Sequence, residues 1–314
     1  MLYGYFQSLH GNYQEALRIA EAGIPRLNQT ADLMVHFFSL GGKTLALLHS
    51  GQFGELMQIV REGKAKAEKN GNSPWLFVFR ESWLRTLVLD FEGARLLGES
   101  VRDTETGYLT GQPKTIAKVA EGYAELDRRN HDRAIECFRK VLDPQVTPRF
   151  FLHWYWRMHA QLGMANSWLA GRNLVNARAE ADRFLESALS TADPNLQALA
   201  WESEARVAMA EMNWNQAEEN IEQGLTISDN RDIPVTAWRV RATAWDLQRH
   251  LKNVKSAEKH RERAEAEILT LANSFEPNEP LRQSFLAAAP VRQILDGAVK
   301  SKIPRHPGSS STAM

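Results

Sequence analysis

The sequence predicts an all-α solenoid: about seven helix pairs wound as a right-handed superhelix and ended by a C-terminal capping helix. Three observations carry that expectation. First, a short turn, an apolar residue and, three positions later, a small or aliphatic one recur as Tyr13/Ala16, Phe53/Leu56, Phe91/Ala94, His131/Ala134, Leu174/Ala177, Trp214/Ala217 and Val254/Ala257, His131 being the polar exception. Successive second members lie 40, 38, 40, 43, 40 and 40 residues apart, the fixed period of a stacked repeat whose units bury their apolar faces on one another. Second, Gly4, Thr44, Ser82, Gly122, Ala165 and Ala205 stand 12 residues before the small position, where they would let the two helices of a pair approach closely. In the seventh unit that place is held by Trp245, with Ala244 beside it. Third, Pro25, Pro74, Pro113, Pro144, Pro148, Pro194 and Pro234 fall in or near the gaps between periods, and proline is tolerated in a helix's first turn but not in its interior.

Read in order, the units occupy residues 1–29, 30–72, 73–112, 113–147, 148–193, 194–232 and 233–274. Within each, two helices flank a turn: His10-Gly11-Asn12, Ser50-Gly51-Gln52, Leu89-Asp90, Arg129-Asn130, Gly171-Arg172-Asn173, Met212-Asn213 and Leu251-Lys252-Asn253. Gly and Asn recur there because both accept the left-handed backbone that ends a helix. The helix after each turn is amphipathic, as Tyr13, Ala16, Leu17 and Ala20 show at i, i+3, i+4, i+7. The short first helix, Met1 to Leu9, suggests a trimmed repeat or a chain preceded by another domain of a longer parent protein. Residues 278–299 form the expected cap, with Leu281, Phe285, Leu286, Ala289, Ile294 and Leu295 covering the last unit and Pro290 kinking or splitting the stretch. Residues 300–314, polar and rich in Pro, Gly and Ser, read as a disordered tail. Seven stacked pairs imply an extended, open array.

Composition narrows the function. Across 314 residues, 38 basic and 38 acidic side chains cancel, so no overall charge points to nucleic acid or an anionic membrane. The single cysteine, Cys137, excludes an internal disulfide framework and suits a reducing compartment. No apolar run is long enough to span a bilayer, and the start lacks the pattern of a secretory signal. A cytoplasmic location follows as the expectation.

The repeats resemble the tetratricopeptide (TPR) family, most clearly at Gly11-Asn12-Tyr13-Gln14-Glu15-Ala16 and Asn213-Trp214-Asn215-Gln216-Ala217-Glu218. The likeness runs to about Ala272, with a period near 40 in place of the usual 34. Long-period arrays of this kind are similar to the C-terminal regions of bacterial multidomain signalling regulators, where they follow an ATPase, cyclase, kinase or DNA-binding module. The resemblance implies a non-catalytic domain without a cofactor, receiving a peptide, a protein partner or a small effector on its concave face.

Chemical motifs are sparse. Gly41-Gly42-Lys43-Thr44 looks like the end of a phosphate-binding loop, but Phe37 and Phe38 stand where the first glycine belongs and the segment lies in a helical pattern. The nine histidines show no metal-ligand spacing. Trp238 to Trp245, interleaving arginines with tryptophans, could stack on single-stranded nucleic acid, yet Asp229, Asp232 and Asp246 lie close by. The segment Phe150 to His159 is aromatic on every side of a helix, so it is either fully buried or lines a ligand groove. With Phe77, Phe79, Arg80, Trp83 and Arg85 two units earlier it yields a candidate groove: His153, Trp156, Arg157, His159, Arg80 and Trp83. On that helix Trp154 is expected to face the core and Trp156 the groove. Two alternatives remain at this stage: a carbohydrate-active enzyme on a closed helical toroid, which needs two carboxylates facing the tryptophans, and an RNA-binding repeat, which needs one basic side.

Overall fold

The computed structural model describes residues 2–27, 33–71, 73–104, 111–146 and 152–301; most of the expected tail, with Phe150 and Phe151, lies outside them. The described residues form sixteen helices and no strand. Seven antiparallel pairs run α1 (Leu2–Leu9) with α2 (Tyr13–Leu27), α3 (Leu33–His49) with α4 (Phe53–Lys69), α5 (Trp75–Leu87) with α6 (Phe91–Val101), and α7 (Gln112–Asp127) with α8 (His131–Leu142). They continue as α9 (His153–Ala170) with α10 (Leu174–Leu189), α11 (Pro194–Ala210) with α12 (Trp214–Asn230), and α13 (Pro234–His250) with α14 (Val254–Asn273). Two short helices, α15 (Pro280–Ala287) and α16 (Ala289–Ser301), follow. The array is thus an all-α solenoid, and no described helix is long and apolar enough to cross a membrane.

All seven turns within pairs share one backbone device. A residue in the left-handed region ends the first helix: Gly11, Gly51, Leu89, Arg129, Arg172, Met212 and Lys252, with φ between 59° and 75°. The N–H of the next residue then reaches back five positions, from Asn12 to Gln7 O through Asn253 to Gln248 O, satisfying a carbonyl the helix end would leave bare. Asn therefore has a different role from the one expected of it. It follows the left-handed residue and caps the second helix, as when Asn173, Asn213 and Asn253 accept from the N–H groups of Asn176, Gln216 and Ser256.

The small crossing positions lie inside the pairs as expected. Gly4 faces Ile19, and the Ser82 hydroxyl donates to the Ala94 carbonyl at 2.8 Å. A Cβ on Gly122 would sit 2.6 Å from the Phe138 ring, and one on Gly163 would overlap the same ring. Phe138 is thus wedged between the first helices of pairs 4 and 5. Consecutive first helices touch, whereas among the described residues no two second helices make comparable contact, so the first helices line the inside of the curve. That is why α9, α11 and α13 are buried on nearly every side.

The array is not open. Pair 1 meets pair 6, and pair 2 meets pair 7, through contacts that repeat with the period itself. Gly11 abuts Pro194; forty residues on, Gly51 abuts Pro234 and Leu271. Tyr13 Oη accepts from Asn195 Nδ2 at 2.7 Å. The Gly54 N–H donates to the Ser274 carbonyl at 3.0 Å, Phe53 packs on Phe275 and Arg61 pairs with Glu279. The turn rim of one pair therefore seats on the helix starts of the pair five further along. Beyond α14 the cap splits at Ala288, with Pro290 in the first turn of α16. Leu281, Phe285, Val291 and Ile294 are buried, and Phe285 packs on Trp238 of α13.

This winding explains why glycine stands at two of the seven left-handed positions. Five turns hold the same φ with a side chain, so conformation alone does not demand glycine there; the rim contact does. Asparagine tolerates the left-handed region, which separates the two causes. Gly51→Asn should cost about 1–3 kcal/mol by overpacking against Leu271, and Arg129→Asn, on an exposed turn, less than ~0.5 kcal/mol. Urea unfolding of the two variants compares them; equal midpoints would remove the packing explanation.

Candidate functional site

Because the superhelix is narrow, side chains from opposite walls meet on its axis. From α5 come Phe79, Arg80 and Trp83; from α9, Tyr155, Trp156 and His159; from α1, Tyr5; from α3, His49. The Trp83 ring stands edge-on to Trp156 at 4.9 Å and to His159 at 4.5 Å, and Phe79 meets Trp156 at 5.9 Å. Such T-shaped arrangements place the positive ring edge on the negative face. His49 Nε2 and Tyr155 Oη share a hydrogen bond at 3.0 Å across the axis. Arg80 Nη2 donates to Tyr5 Oη and to the Gly41 carbonyl, both at 3.2 Å.

The structure brings four of the six expected groove residues together: Arg80, Trp83, Trp156 and His159. All four are buried, Arg80 and Trp156 being only 2% exposed. His153 is buried at the start of α9, and Arg157, half-buried, donates to the Leu142 carbonyl at 2.5 Å. The orientation expected of α9 is reversed, since Trp156 points into the packed axis and Trp154 is the partly exposed one. The cause is the winding. An inner helix here has an opposite wall within reach, so the sector chosen for its polar groups faces other side chains of the chain. The cavity between Tyr5, Leu9, Leu45, Phe79, Arg80, Gln112, Leu152, Tyr155 and Trp156 has a volume of only about 10 Å³.

Burial sets the charge states of this region. The His49 imidazole is pushed down to about 3, first by loss of water and then by the Arg80 charge; His159 is driven well below its ordinary value by burial and by His49. Both are neutral at pH 7. Next to the cluster, Asp193 caps α11, its Oδ1 accepting from the N–H groups of Asn195 and Leu196 at 2.9 and 3.3 Å. Burial raises its carboxyl to about 7, against the lowering effect of those same bonds. Asn195 links Tyr13 of pair 1 to Thr236 of pair 7, whose hydroxyl donates to Asn195 Oδ1 at 2.8 Å. Nothing in the sequence flagged His49, Tyr5 or Asn195, because each meets a partner more than seventy positions away. The cap made by Asp193 is local, and only its burial depends on the tertiary structure.

The remaining motifs are structural. Gly41 and Gly42 lie within α3, where a Cβ at either would press on Tyr5, and Lys43 pairs with Glu55 at 2.8 Å. Among the described residues no group of His, Cys, Asp or Glu could hold a metal ion. Cys137 is buried in α8, its thiol pushed up to about 12 by desolvation and by Glu121.

The outer surface differs between the two ends of the array. The residue opening each second helix is buried in pairs 1 and 2, where Tyr13 and Phe53 lie under pairs 6 and 7, and is fully exposed by pair 7. Along this free rim Val175, Met212 and Val254 are 81%, 73% and 77% exposed, and Trp214 stacks on His250 at 5.4 Å. Arg129, Arg172, Lys252 and Lys255, also exposed, stand among them with no ion pair to a described residue. Their common signal in the sequence was the repeated turn position.

No protein-family model matches the chain, and no curated protein matches its sequence. One similar solved structure, the crystal structure of the apo form of RapI, covers 95% of this chain and 84% of that one at 10% identity, with a TM-score of 0.44. A likeness that distant carries no argument about function.

Two measurements follow from the geometry. Trp156→Ala should cost about 3–5 kcal/mol, the range for a fully buried tryptophan, and Trp154→Ala distinctly less; the opposite order in urea unfolding would restore the original assignment of α9. The second concerns Asp193. Its folded value lies above the ordinary 3.8, so between 3.8 and about 7 the folded chain holds a proton that the unfolded chain releases. Stability attributable to this group is present at low pH and lost as pH rises through that window. Asp193→Asn keeps a capping oxygen and removes the titration. Its stability relative to the wild type should climb from pH 4 to pH 7; a flat difference would show that Asp193 ionises normally.

Proposed function

We propose that this chain is a non-catalytic docking scaffold whose recognition surface is the free turn rim of pairs 4 to 7. One observation carries the proposal: the same rim in pairs 1 and 2 is consumed by packing within the chain, whereas in the later pairs it presents exposed apolar side chains set among exposed cations that pair with no described residue. Valine and methionine exposed at the turns of successive repeats are costly in water unless something covers them. Arg129, Arg172, Lys252 and Lys255 select the sign of the partner. The ligand class that fits is an acidic protein segment carrying apolar residues, held by the rim's apolar contacts and steered by its charge.

The concave face is a poorer receptor, since the chain's own aromatic residues occupy it. The carbohydrate-enzyme alternative is weakened by the same packing. Among the described residues no carboxylate lines the axial cavity, and the neighbouring Asp193 is committed to capping α11. An RNA-binding surface would need a continuous basic side, but the outer helices alternate charges in pairs such as Arg133 with Glu136 and Arg178 with Glu211. On the resemblance of its repeats, the array would serve as the interaction arm of a bacterial signalling regulator.

A peptide-display selection against the full chain tests the rim. The peptides recovered should be acidic with spaced apolar residues, and their affinity should fall with salt. Val254→Glu and Lys252→Glu should each weaken binding by about tenfold, near the loss of one good contact, without lowering the melting temperature. Peptides that bind both variants as tightly as the wild type would place recognition elsewhere.

A further inference from the structure

Arg80 poses a problem that the docking surface leaves unsolved. Its side chain is buried in the core, and a buried charge ordinarily requires an opposite charge and a full set of acceptors. Among the described residues no carboxylate comes within ion-pair distance of it; its hydrogen-bond acceptors are the neutral Tyr5 hydroxyl and the Gly41 carbonyl. Nε has no acceptor among the described residues. The acidic residue next in sequence, Glu81, pairs with Lys64 and Arg85 instead. Asp193 acts electrostatically on Tyr155 but makes no ion pair with Arg80.

The orphan donors belong to residues that line one cavity. Arg80 and Trp156 line the same small cavity, and the indole Nε1 of Trp156 also lacks an acceptor. Gln112, buried in the same wall, has its side-chain oxygen unpartnered; turning that amide over would offer the cavity an N–H. Tyr155 Oη completes the polar lining, and Phe79, Leu9, Leu45 and Leu152 make the rest of the wall apolar. One net positive charge and two unpartnered N–H groups therefore belong to residues lining this space, and the one unpartnered acceptor among the described lining residues is the Gln112 oxygen. The Arg80 charge contributes to the suppression of His49, and the guanidinium lies over the Phe79 ring at 4.6 Å, a favourable contact that supplies no hydrogen-bond acceptor in the plane of the cation.

We propose that the axial cavity is a binding site for one small monovalent anion, a halide or formate, held by Arg80 Nε with the Trp156 indole N–H and the Gln112 amide. Size fixes the class. A cavity of about 10 Å³ admits one water-sized group, which excludes phosphate, sulfate and larger carboxylates. Charge fixes the sign, because only an anion both accepts hydrogen bonds and offsets a buried guanidinium. The anion would pin α5 to α9 at the point where opposite walls of the superhelix meet.

Thermal melts of the full chain at constant ionic strength test the site, with potassium gluconate, whose anion is too large to enter, replaced stepwise by chloride, bromide or formate. In the wild type the melting temperature should rise with the logarithm of small-anion concentration, as mass action requires; formate without chloride, or the reverse, identifies the occupant. Arg80→Met should abolish the rise, and because general salt effects act on both proteins, the difference between them isolates the site. Trp156→Phe keeps a ring and removes one donor, so it should weaken the apparent affinity by roughly tenfold, the worth of one hydrogen bond to a charge. This variant decides the matter if Arg80→Met fails to fold. Crystals grown in bromide should show an anomalous peak beside Arg80 Nε. Identical melts in all four salts, an unchanged rise in both variants, or bromide confined to the surface would each overturn the proposal.

Discussion

The contact on which the rest of the molecule depends is the seating of the first two turns on the helix starts five pairs later. Gly11 against Pro194 and Gly51 against Pro234 are the same contact translated by one period. Once it forms, the number of pairs per superhelical turn is set at about five, and with it the width of the axis. Glycine permits the approach, since any Cβ would hold the two rims apart. Proline suits the other side because at a helix's first position it needs no hydrogen-bond partner for its missing N–H. Asn195 then joins three pairs at one point, through Tyr13 and Thr236.

A narrow axis changes what the inner helices can do. In a wider solenoid their free sector would meet solvent or a ligand; here α5 and α9 meet each other. Trp83, Trp156 and His159 become core, and polar atoms placed in that sector lose water. The histidines respond by losing their proton and Asp193 by keeping its own, the usual relief for a buried titratable group. Arg80 has no such relief, because a guanidinium does not deprotonate in a protein. Winding also divides the turn rim into two parts, one spent on closure and one left with exposed Val175, Met212 and Val254. Closure inside and exposure outside thus have a single geometric cause.

Much of the fold was legible in the sequence, for a physical reason: everything within a pair is local. The turns, the small crossing residues from Gly4 to Ala205 and the proline-marked helix starts involve partners within about one period, so spacing alone encodes them. The break near Pro290 was legible on the same ground, although it produced two helices where one kinked helix had been an option. The role of Asn is not legible in the sequence, because a cap and a left-handed residue sit side by side and only the backbone separates them. The site was legible in part. Arg80, Trp83, Trp156 and His159 were chosen as a set and do meet, yet their shared surroundings are packed side chains, and the facing of Trp154 and Trp156 came out reversed.

The sequence by itself determined that this chain is a helical repeat, how many pairs it holds, where each turns and which faces are apolar. Local hydrogen bonding and the helical period decide those properties, and neither needs a distant partner. Only the tertiary structure decided how tightly the pairs wind. That depends on small rotations accumulated over five pairs and on contacts between residues such as Gly11 and Pro194, for which no local pattern exists. Which aromatic residues are core, which titratable groups are forced neutral and which rim is left to a partner all follow from that winding, and none of them is written in any single repeat.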